Sequence, residues 1–229
     1  TNELALATAL DFVRMIKKTP IVVNDCRGFY ANRCVLNYVL EGHLMLREGV
    51  PAAMIENAAK MAGMPVGPLA LNDEVGLDLG WKILQATKKD LGEGAINLLQ
   101  EDLLEFMVVL HNRHGRKNGK GFYEYEGTKR LWDGLKQYET QDPDTIDVEE
   151  LKTRLLVVQA IEAARTIEEG ITTEEEANVG SILGFGFAPF TGGTISYIKQ
   201  MGTENFLDIC DKLAAKFGSR FDVPQSLRG

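Results

Sequence analysis

Apolar residues recur along this chain mainly at the three-to-four-residue spacing of α-helices. The segment Leu4–Ile16 has this spacing, and two lysines follow it, where positive charge complements a helix C-terminus. A second apolar stripe runs from Leu36 to Leu46 and is closed by Gly49, a typical helix stop. The pattern therefore predicts one helix at the start of the chain and a second between Gly28 and Gly49.

Glycine and proline separate the helical segments that follow. Ala52–Met61 has a helical pattern that Gly63 ends, and Met64–Leu69 contains two prolines and a glycine, so we expect a turn there. Helical spacing resumes over 81–89 and 98–112. These segments extend the prediction of a mainly helical protein.

Ile21–Val23 is the one short β-branched run with the character of a strand. Pro20 precedes it and Asn24 follows it, and both residues interrupt regular structure. A lone strand leaves its backbone donors and acceptors without partners. We therefore expect residues 1–25 to be the last helix and strand of a parallel-sheet domain whose remainder lies upstream. The alternative is a short extended connector.

An internal repeat is the main organising feature of the sequence. An offset of about 121 residues aligns charged residues, glycines and prolines without a gap. The aligned pairs are Arg33 with Arg154, Glu41 with Glu162, Gly49 with Gly170, Gly63 with Gly184 and Pro68 with Pro189. Matched glycines and prolines are informative because other residues are sterically costly at such positions. The repeat predicts two copies of one helical unit, joined by a polar, proline-containing connector.

Composition narrows the function classes. Lys and Arg number 25 against 33 Asp and Glu, a net charge of −8, and no basic stripe interleaved with aromatics appears, so a nucleic-acid partner is not expected. Three cysteines without a CxxC pair argue against a disulfide framework and a zinc site, and indicate a reducing, cytoplasmic compartment. The longest apolar runs are too short for a transmembrane segment.

Two kinds of chemistry lack their usual residue patterns. A dinucleotide site needs a glycine-rich turn between a strand and a helix, and Gly119–Gly121 instead leads into Phe122 and Tyr123. Of the three histidines, His43 lies within an apolar helix, where packing is favoured over catalysis. His111 and His114 have no third metal-ligating residue nearby, so we do not expect a metal site.

The order of several motifs resembles one enzyme family. Lys18–Asp25 followed by Gly28–Arg33 resembles the junction between the NAD domain and the helical domain of 3-hydroxyacyl-CoA dehydrogenases. Further segments match that family in the same order: 63–68 with 73–78, 116–123 and 184–193. The resemblance covers nearly the whole chain. A tandem pair of such helical domains is typical of the alpha subunits of multifunctional fatty-acid β-oxidation enzymes.

The resemblance implies a mainly α fold. We expect two tandem helical domains like the C-terminal domain of 6-phosphogluconate dehydrogenase, preceded by the last helix and strand of a truncated Rossmann domain. The expected boundaries are 1–25 for the tail of the NAD-binding domain, 26–126 for the first helical domain, 127–147 for the linker and 148–229 for the second helical domain.

The implied activity is the NAD-dependent oxidation of 3-hydroxyacyl-CoA to 3-oxoacyl-CoA in fatty-acid β-oxidation. In the family, NAD and the catalytic His belong to the upstream domain, so this chain is expected to be inactive alone. The implied partners are the 3-hydroxyacyl-CoA substrate and the protein's own upstream NAD and hydratase domains. The resemblance leaves open whether a thiolase subunit also binds.

Asn32 is the residue that the resemblance connects most directly with catalysis. It matches the Asn of the family's Gly-Phe-x-x-Asn-Arg segment, where it is expected to hydrogen-bond the substrate oxygen or the catalytic His. An amide suits this role because it donates and accepts without titrating. The alternative is that Asn32 only caps the helix that follows.

Two further groups are candidates for substrate binding. Met64, Pro65 and Pro68 could line the acyl channel, with a purely structural turn as the alternative. Arg116 and Lys117 belong to a basic group, with Arg113 and Lys120, that could attract the phosphates of coenzyme A. A solvated helix end is the alternative for these cations.

Two other functions compete with the dehydrogenase hypothesis. The duplicated helices could form a structural or assembly module without catalytic residues. The chain could also be the C-terminal part of a different dehydrogenase with the same helical architecture, such as a 6-phosphogluconate or hydroxyisobutyrate enzyme. Asn32 beside a domain junction favours an active-site role over the first alternative, and the combined motifs argue against the second.

Overall fold

The computed structural model describes all 229 residues, and the fold is mainly helical, which confirms the predicted class. The helices are α1 (Glu3–Met15), α2 (Ala31–Arg47), α3 (Ala52–Met61), α4 (Pro68–Val75), α5 (Leu77–Leu91), α6 (Leu98–Leu104), α7 (Val148–Glu168), α8 (Glu174–Phe185), α9 (Thr194–Met201) and α10 (Thr203–Phe217). Two short strands, β1 (Tyr123–Glu124) and β2 (Arg130–Leu131), pair antiparallel, with Tyr123 opposite Leu131.

The chain forms two compact units, which we call the terminal unit (1–34 with 160–229) and the middle unit (35–159). The boundaries between them fall inside two helices, after Cys34 in α2 and after Gln159 in α7. Each unit therefore contains residues from both copies of the sequence repeat.

The middle unit is built around helices α3 to α6. On α3, Ala52, Ile55 and Ala59 are buried at helical spacing, and Leu103 of α6 is also fully buried. Phe122, next to β1, adds an aromatic ring to this core. Full burial of a leucine- or phenylalanine-sized side chain contributes about 1.5–3 kcal/mol, so these positions hold the unit together.

The terminal unit has its core around helices α8 to α10. Ala177, Ile198 and Phe206 are buried, one on each of these helices, and Tyr30 and Phe221 join them from the two ends of the chain. Helix α1 differs from the rest because none of its residues is buried.

Residues 18–26 have no regular secondary structure, so the strand predicted at Ile21–Val23 is wrong. The segment is an extended connector within the terminal unit. Two of its backbone donors bind helix α8 and the loop before it instead of a neighbouring strand: Val22 N donates to Glu176 Oε1 on α8 (2.9 Å), and Asn24 N donates to Ile171 O (2.7 Å). A β-branched run predicts extended backbone but not its partner, and here the partner is not a strand.

The predicted turn at Met64–Leu69 is shorter than expected. It ends at Gly67, and Pro68 takes the first position of α4, where proline is favoured because its missing N–H needs no partner there. The segment 127–147, expected to be a linker, is packed within the middle unit. Thr140 N and Gln141 N donate to Gly49 O (3.1 and 3.0 Å), and Leu135 is buried.

Helices α5 and α10 are alike in length and in the glycines at their ends. Each has 15 residues, begins after a glycine with positive φ (Gly76, 106°; Gly202, 85°) and ends at another (Gly92, 89°; Gly218, 92°). The spacing between the two helices is 203 − 77 = 126 residues, five more than the offset found in the sequence. The second copy thus carries five additional residues between Pro189 and Gly202.

Candidate active-site residues

The turn just before Asn32 has an unusual backbone. Gly28 and Phe29 both have positive φ (84° and 51°), and Phe29 N donates to Cys26 O (3.0 Å) to close the turn. Phe29 has a side chain, so this conformation costs about 1–3 kcal/mol and persists only where the surroundings impose it. Such strain is most often found at functional sites.

Tyr30 anchors this turn to the core of the terminal unit. Its hydroxyl donates to Ala177 O (2.8 Å) and lies 3.1 Å from Thr194 Oγ1. Burial of the ring raises the pKa of Tyr30 well above its usual value, so the phenol stays protonated and keeps its donor.

Arg33 fixes the turn from the other side. Arg33 Nε donates to Glu162 Oε1 (2.6 Å), and Arg33 Nη2 donates to Glu169 Oε1 (3.0 Å). The hydrogen bond with Glu169 is the main cause that raises the pKa of Arg33 and lowers the pKa of Glu169, so both groups are charged at neutral pH.

Asn32 lies between these two anchors. It is the second residue of α2, so it does not occupy the N-cap position. Its side chain is exposed and makes no hydrogen bond within the chain. The backbone around it is therefore held in place while the amide is free to bind a group from outside the chain.

The Met64–Gly67 turn is organised by a buried carboxylate. Glu56 Oε1 accepts from Leu69 N (2.9 Å) and Ala70 N (3.3 Å), buried donors in the first turn of α4 that have no partner within the helix, and Glu56 Oε2 accepts from Tyr123 Oη (2.9 Å). Burial raises the pKa of Glu56. Gly67 is required because a Cβ there would overlap the Glu56 carboxylate.

Of the three predicted channel residues, only Pro65 is exposed. Pro68 is buried against Gly42, and Met64 is buried with its sulfur 3.8 Å from Gln159 Nε2. These contacts give Met64 and Pro68 a structural role inside the middle unit. Pro65 is the one member of the set on the surface.

Arg116 and Lys117 are exposed and already paired with acids. Arg116 Nη1 lies 2.9 Å from both carboxylate oxygens of Glu74, and Lys117 pairs with Asp78. The hydrogen bond from Lys117 is the main cause that lowers the pKa of Asp78. Pro68 is the first residue of α4, and Glu74 is next to its last residue. The proline turn therefore lies at one end of this helix, and Arg116, which binds Glu74, lies near the other end.

Arg113 does not belong to a solvated basic group, because it is buried. Arg113 Nε donates to Gly121 O (2.6 Å), Arg113 Nη1 lies 2.9 Å from Glu124 Oε1, and the guanidinium stacks 4.1 Å from the centre of the Trp132 ring. This arginine holds the loop before β1 and is unavailable to a phosphate.

The Gly-Lys-Gly-Phe-Tyr motif is explained by a second buried carboxylate. Asp73 accepts from Phe122 N (2.7 Å) and Tyr123 N (2.8 Å), and a Cβ at Gly121 would overlap it. Burial raises the pKa of Asp73 to about 6, although these hydrogen bonds oppose the shift. The motif thus connects the chain at β1 to α4 through hydrogen bonds to Asp73.

The acids that bind Arg33, next to Asn32, and those that organise the proline turn and the loop before β1 were not predicted from the sequence. Glu162 and Glu169 reach Arg33 across more than a hundred residues, and Glu56 and Asp73 act on segments 13 to 50 residues away. One signal was present: Glu162 was aligned with Glu41 in the repeat, and both are charged residues inside apolar helices. Pairing each with the arginine of the opposite copy would have predicted the contact.

The residues of this chain do not form a dinucleotide site. The only sheet has two antiparallel strands of two residues each, and no strand leads into a helix through a glycine-rich turn. No helix combines the length and apolar character needed to cross a membrane.

Comparison with known proteins agrees with the motifs. Residues 28–125 match the family model described as 3-hydroxyacyl-CoA dehydrogenase, C-terminal domain. The fatty acid oxidation complex subunit alpha of Vibrio cholerae is 36% identical over 225 residues, which cover 96% of this chain and 31% of that protein. The subunit of the same name from Shewanella halifaxensis is 37% identical over 238 residues, covering all of this chain and 32% of that protein. The chain thus spans about a third of these relatives' length.

Two solved structures share the fold. The dehydrogenase part of multifunctional enzyme 1 from Caenorhabditis elegans has a TM-score of 0.70 at 25% identity, covering 98% of this chain and 52% of that one. The 3-hydroxybutyryl-CoA dehydrogenase of Escherichia coli has a TM-score of 0.75 at 18% identity, covering all of this chain and 64% of that one. The sequence matches and the shared fold agree with the resemblance: residues 28–125 match the C-terminal domain of 3-hydroxyacyl-CoA dehydrogenases, and almost the whole chain is similar to part of the fatty acid oxidation complex alpha subunits.

Proposed function

We propose that this chain is the helical, substrate-binding part of an NAD-dependent 3-hydroxyacyl-CoA dehydrogenase that oxidises 3-hydroxyacyl-CoA to 3-oxoacyl-CoA in fatty-acid β-oxidation. The observation that carries the proposal is Asn32, an exposed amide without an internal partner in the first turn of α2, just after a strained turn. That turn lies at the start of the segment that matches the dehydrogenase family.

Asn32 would bind the substrate oxygen or orient the catalytic His. A neutral amide can do either at any physiological pH, because it does not titrate. Tyr30 and Arg33 hold the backbone on both sides of Asn32, so the amide would be in position before the substrate arrives. Such preorganisation is what makes a single hydrogen-bond donor effective in catalysis.

The chemistry that this chain lacks would come from the rest of a longer protein. We propose that NAD and the catalytic His are supplied by an upstream domain, since these residues form no dinucleotide site, and that the chain is inactive alone. A hydratase domain in the same protein and a thiolase subunit are proposed partners, by analogy with fatty acid oxidation complexes. Three free cysteines are compatible with a reducing, cytoplasmic location.

For the substrate itself we propose two contact regions. Pro65, on the surface of the turn whose inner residues are Met64 and Pro68, would contact the acyl chain. Arg116 and Lys117, whose side chains are exposed, would meet coenzyme A phosphates. The Arg116–Glu74 pair is exposed on both sides, and such pairs contribute only about 0–1 kcal/mol, so a phosphate can displace Glu74 at little cost.

A titration of this chain with 3-hydroxybutyryl-CoA tests the proposal, with backbone amide NMR as the readout. We expect saturable shifts at Gly28–Arg33 that disappear in Asn32→Ala, and no NADH formation from added NAD. Coenzyme A alone serves as the control for the phosphate contacts, and its shifts should be limited to the surroundings of Arg116 and Lys117. A structural module without a substrate role would show no shifts near Asn32 with either ligand.

A further inference from the structure

A pocket of about 200 Å³ lies in the middle unit among α2, α5 and α6. Two exposed aliphatic side chains, Leu36 of α2 and Ile83 of α5, lie on its solvent side. Leu40 of α2 and the buried Leu84 and Leu104 line it further in. The pocket thus offers a mainly aliphatic surface to a ligand that enters from solvent.

Three of the polar side chains that line the pocket already bind partners within the protein. Asn97 Oδ1 accepts from Leu99 N (3.0 Å) and Gln100 N (3.3 Å), and Gln100 Nε2 lies 3.3 Å from His43 Nδ1. No charged side chain lines the pocket. An ionic group would therefore lack compensation there, whereas an apolar chain gains free energy by leaving water.

Helix α2 leads from Asn32 to this pocket. Leu36 and Leu40 follow Asn32 at intervals of four residues, so the three side chains lie on one face of this continuous helix. Asn32 and Leu36 are exposed, and Leu40 is half-buried in the pocket wall. Along this face an exposed amide is therefore followed by an exposed aliphatic side chain and then by the pocket.

The length of this face fits a long acyl chain. Eight residues of α-helix, from Asn32 to Leu40, rise about 12 Å. Extended backbone advances about 1.2 Å per bond, and an extended carbon chain of about ten bonds covers the same distance. A cavity of roughly 150 Å³ is known to bind benzene, so this pocket has room for about six to eight carbons.

We propose that this pocket binds the distal end of a long acyl chain and gives the proposed dehydrogenase a preference for long-chain 3-hydroxyacyl-CoA. The 3-hydroxyl group would lie at Asn32, the chain would pass Leu36, and its last carbons would enter between Leu40 and Ile83. The inference rests on the proposed function, because the occupant is the acyl chain of the proposed substrate. Leu36 and Ile83 are the residues that would determine chain-length preference.

Two esters that differ only in chain length, 3-hydroxydodecanoyl-CoA and 3-hydroxybutyryl-CoA, test the pocket by NMR of the 229-residue chain. The dodecanoyl ester should give saturable shifts of the Leu40, Ile83 and Leu84 methyl groups, and the butyryl ester should give none. Both esters should shift the Gly28–Arg33 amides. The dodecanoyl ester should bind at least tenfold more tightly, because burial of two methylene groups already increases affinity about tenfold.

The pocket assignment and the proposed function fail in different ways. Shifts at Gly28–Arg33 without methyl shifts, or equal affinity for the two esters, would overturn the pocket assignment and leave the proposed function intact. No shift at Gly28–Arg33 with either ester would contradict the proposed function. Methyl shifts without those amide shifts would also overturn the assignment, because the bound chain would then not be that of a substrate held at Asn32.

Two tryptophan variants on α5 test the location. Ile83 and Leu79 are similarly exposed (40% and 46%) and lie one turn apart, but only Ile83 lines the pocket. Ile83→Trp should weaken binding of the dodecanoyl ester at least tenfold, and Leu79→Trp should preserve it. The same affinity in both variants would show that the chain lies elsewhere.

Pro65→Trp tests the other contact proposed for the acyl chain. Pro65 does not line the pocket, so this variant should change the affinities for the two esters by the same factor. A selective loss of dodecanoyl binding in Pro65→Trp, but not in Ile83→Trp, would place the distal chain at the proline turn and overturn the pocket assignment.

Discussion

Two clusters of one arginine and two glutamates occupy equivalent positions in the repeat. The open cluster, in the terminal unit, consists of Arg33, Glu162 and Glu169, and the buried cluster, in the middle unit, consists of Arg154, Glu41 and Glu48. The residue number of each member of one cluster differs by 121 from that of a member of the other cluster. In both clusters the arginine of one copy binds the glutamates of the opposite copy.

The clusters differ in their exposure. In the buried cluster the side chains of Arg154 and Glu41 are 2% and 1% exposed, whereas in the open cluster Arg33 and Glu169 are 17% and 42% exposed. The neighbours differ as well: Arg33 follows Asn32, and Arg154 follows Thr153. The same pairing thus supports the core of one unit and, in the other, holds a turn that presents an amide at the surface.

The largest change in stability should come from replacing the two arginines, one at a time. Arg154→Met removes the buried cation that pairs with the buried Glu41, so we expect a loss of about 3–5 kcal/mol in the free energy of unfolding. Arg33→Met leaves Glu169 partly solvated and the buried Glu162 still paired with Arg165, so it should cost about 1–2 kcal/mol. Urea denaturation followed by circular dichroism measures both. Equal losses would contradict the difference drawn between the clusters.

His43 provides a second contrast, because the equivalent residue in the other copy is Ala164. Burial lowers the pKa of His43 from 6.5 to about 4, so between these values the unfolded chain binds a proton that the folded chain does not. The contribution of the neutral His43 to the free energy of unfolding is complete above pH 6.5 and is lost as the pH falls towards 4. Relative to His43→Leu, the wild type should lose about 3 kcal/mol over that range. Parallel stability curves for the two proteins would show that His43 titrates normally.

The smallest effect concerns the basic pair. Replacing Arg116 and Lys117 with glutamate in the full-length enzyme should raise the KM for 3-hydroxyacyl-CoA several-fold and leave kcat unchanged, because phosphate contacts far from the reacting atoms bind ground and transition states alike. The control is Lys129→Glu, an exposed charge change elsewhere in the same unit. A KM that rises equally in the control would indicate a general charge effect.

The parts of the fold that sequence predicted are those with local signals. Helix α3 was predicted and observed at Ala52–Met61, because Pro51 and Gly63 mark both of its ends. The prediction of a strand at Ile21–Val23 was wrong, because a β-branched run does not reveal what its backbone binds. The helical class and the family resemblance are confirmed, since they rest on spacing and motif order over the whole chain.

The site was less predictable because its supports are distant in sequence. Asn32 could be singled out from its motif, but the unpartnered amide and the anchors Tyr30 and Arg33 appear only in the folded chain. Glu56 and Asp73 give no local signal, since their role is to satisfy backbone donors of other segments. The catalytic role of Asn32 remains a prediction.

The most direct test is a kinetic comparison of Asn32→Ala with Thr153→Ala, its equivalent in the second copy, in the full-length enzyme. If Asn32 contacts the reacting groups, kcat/KM for 3-hydroxyacyl-CoA should fall by about 100-fold or more in Asn32→Ala, the loss typical of a preorganised hydrogen-bond donor. It should stay within about twofold of wild type in Thr153→Ala. Wild-type kinetics in Asn32→Ala would contradict the assignment of the candidate site to the first copy.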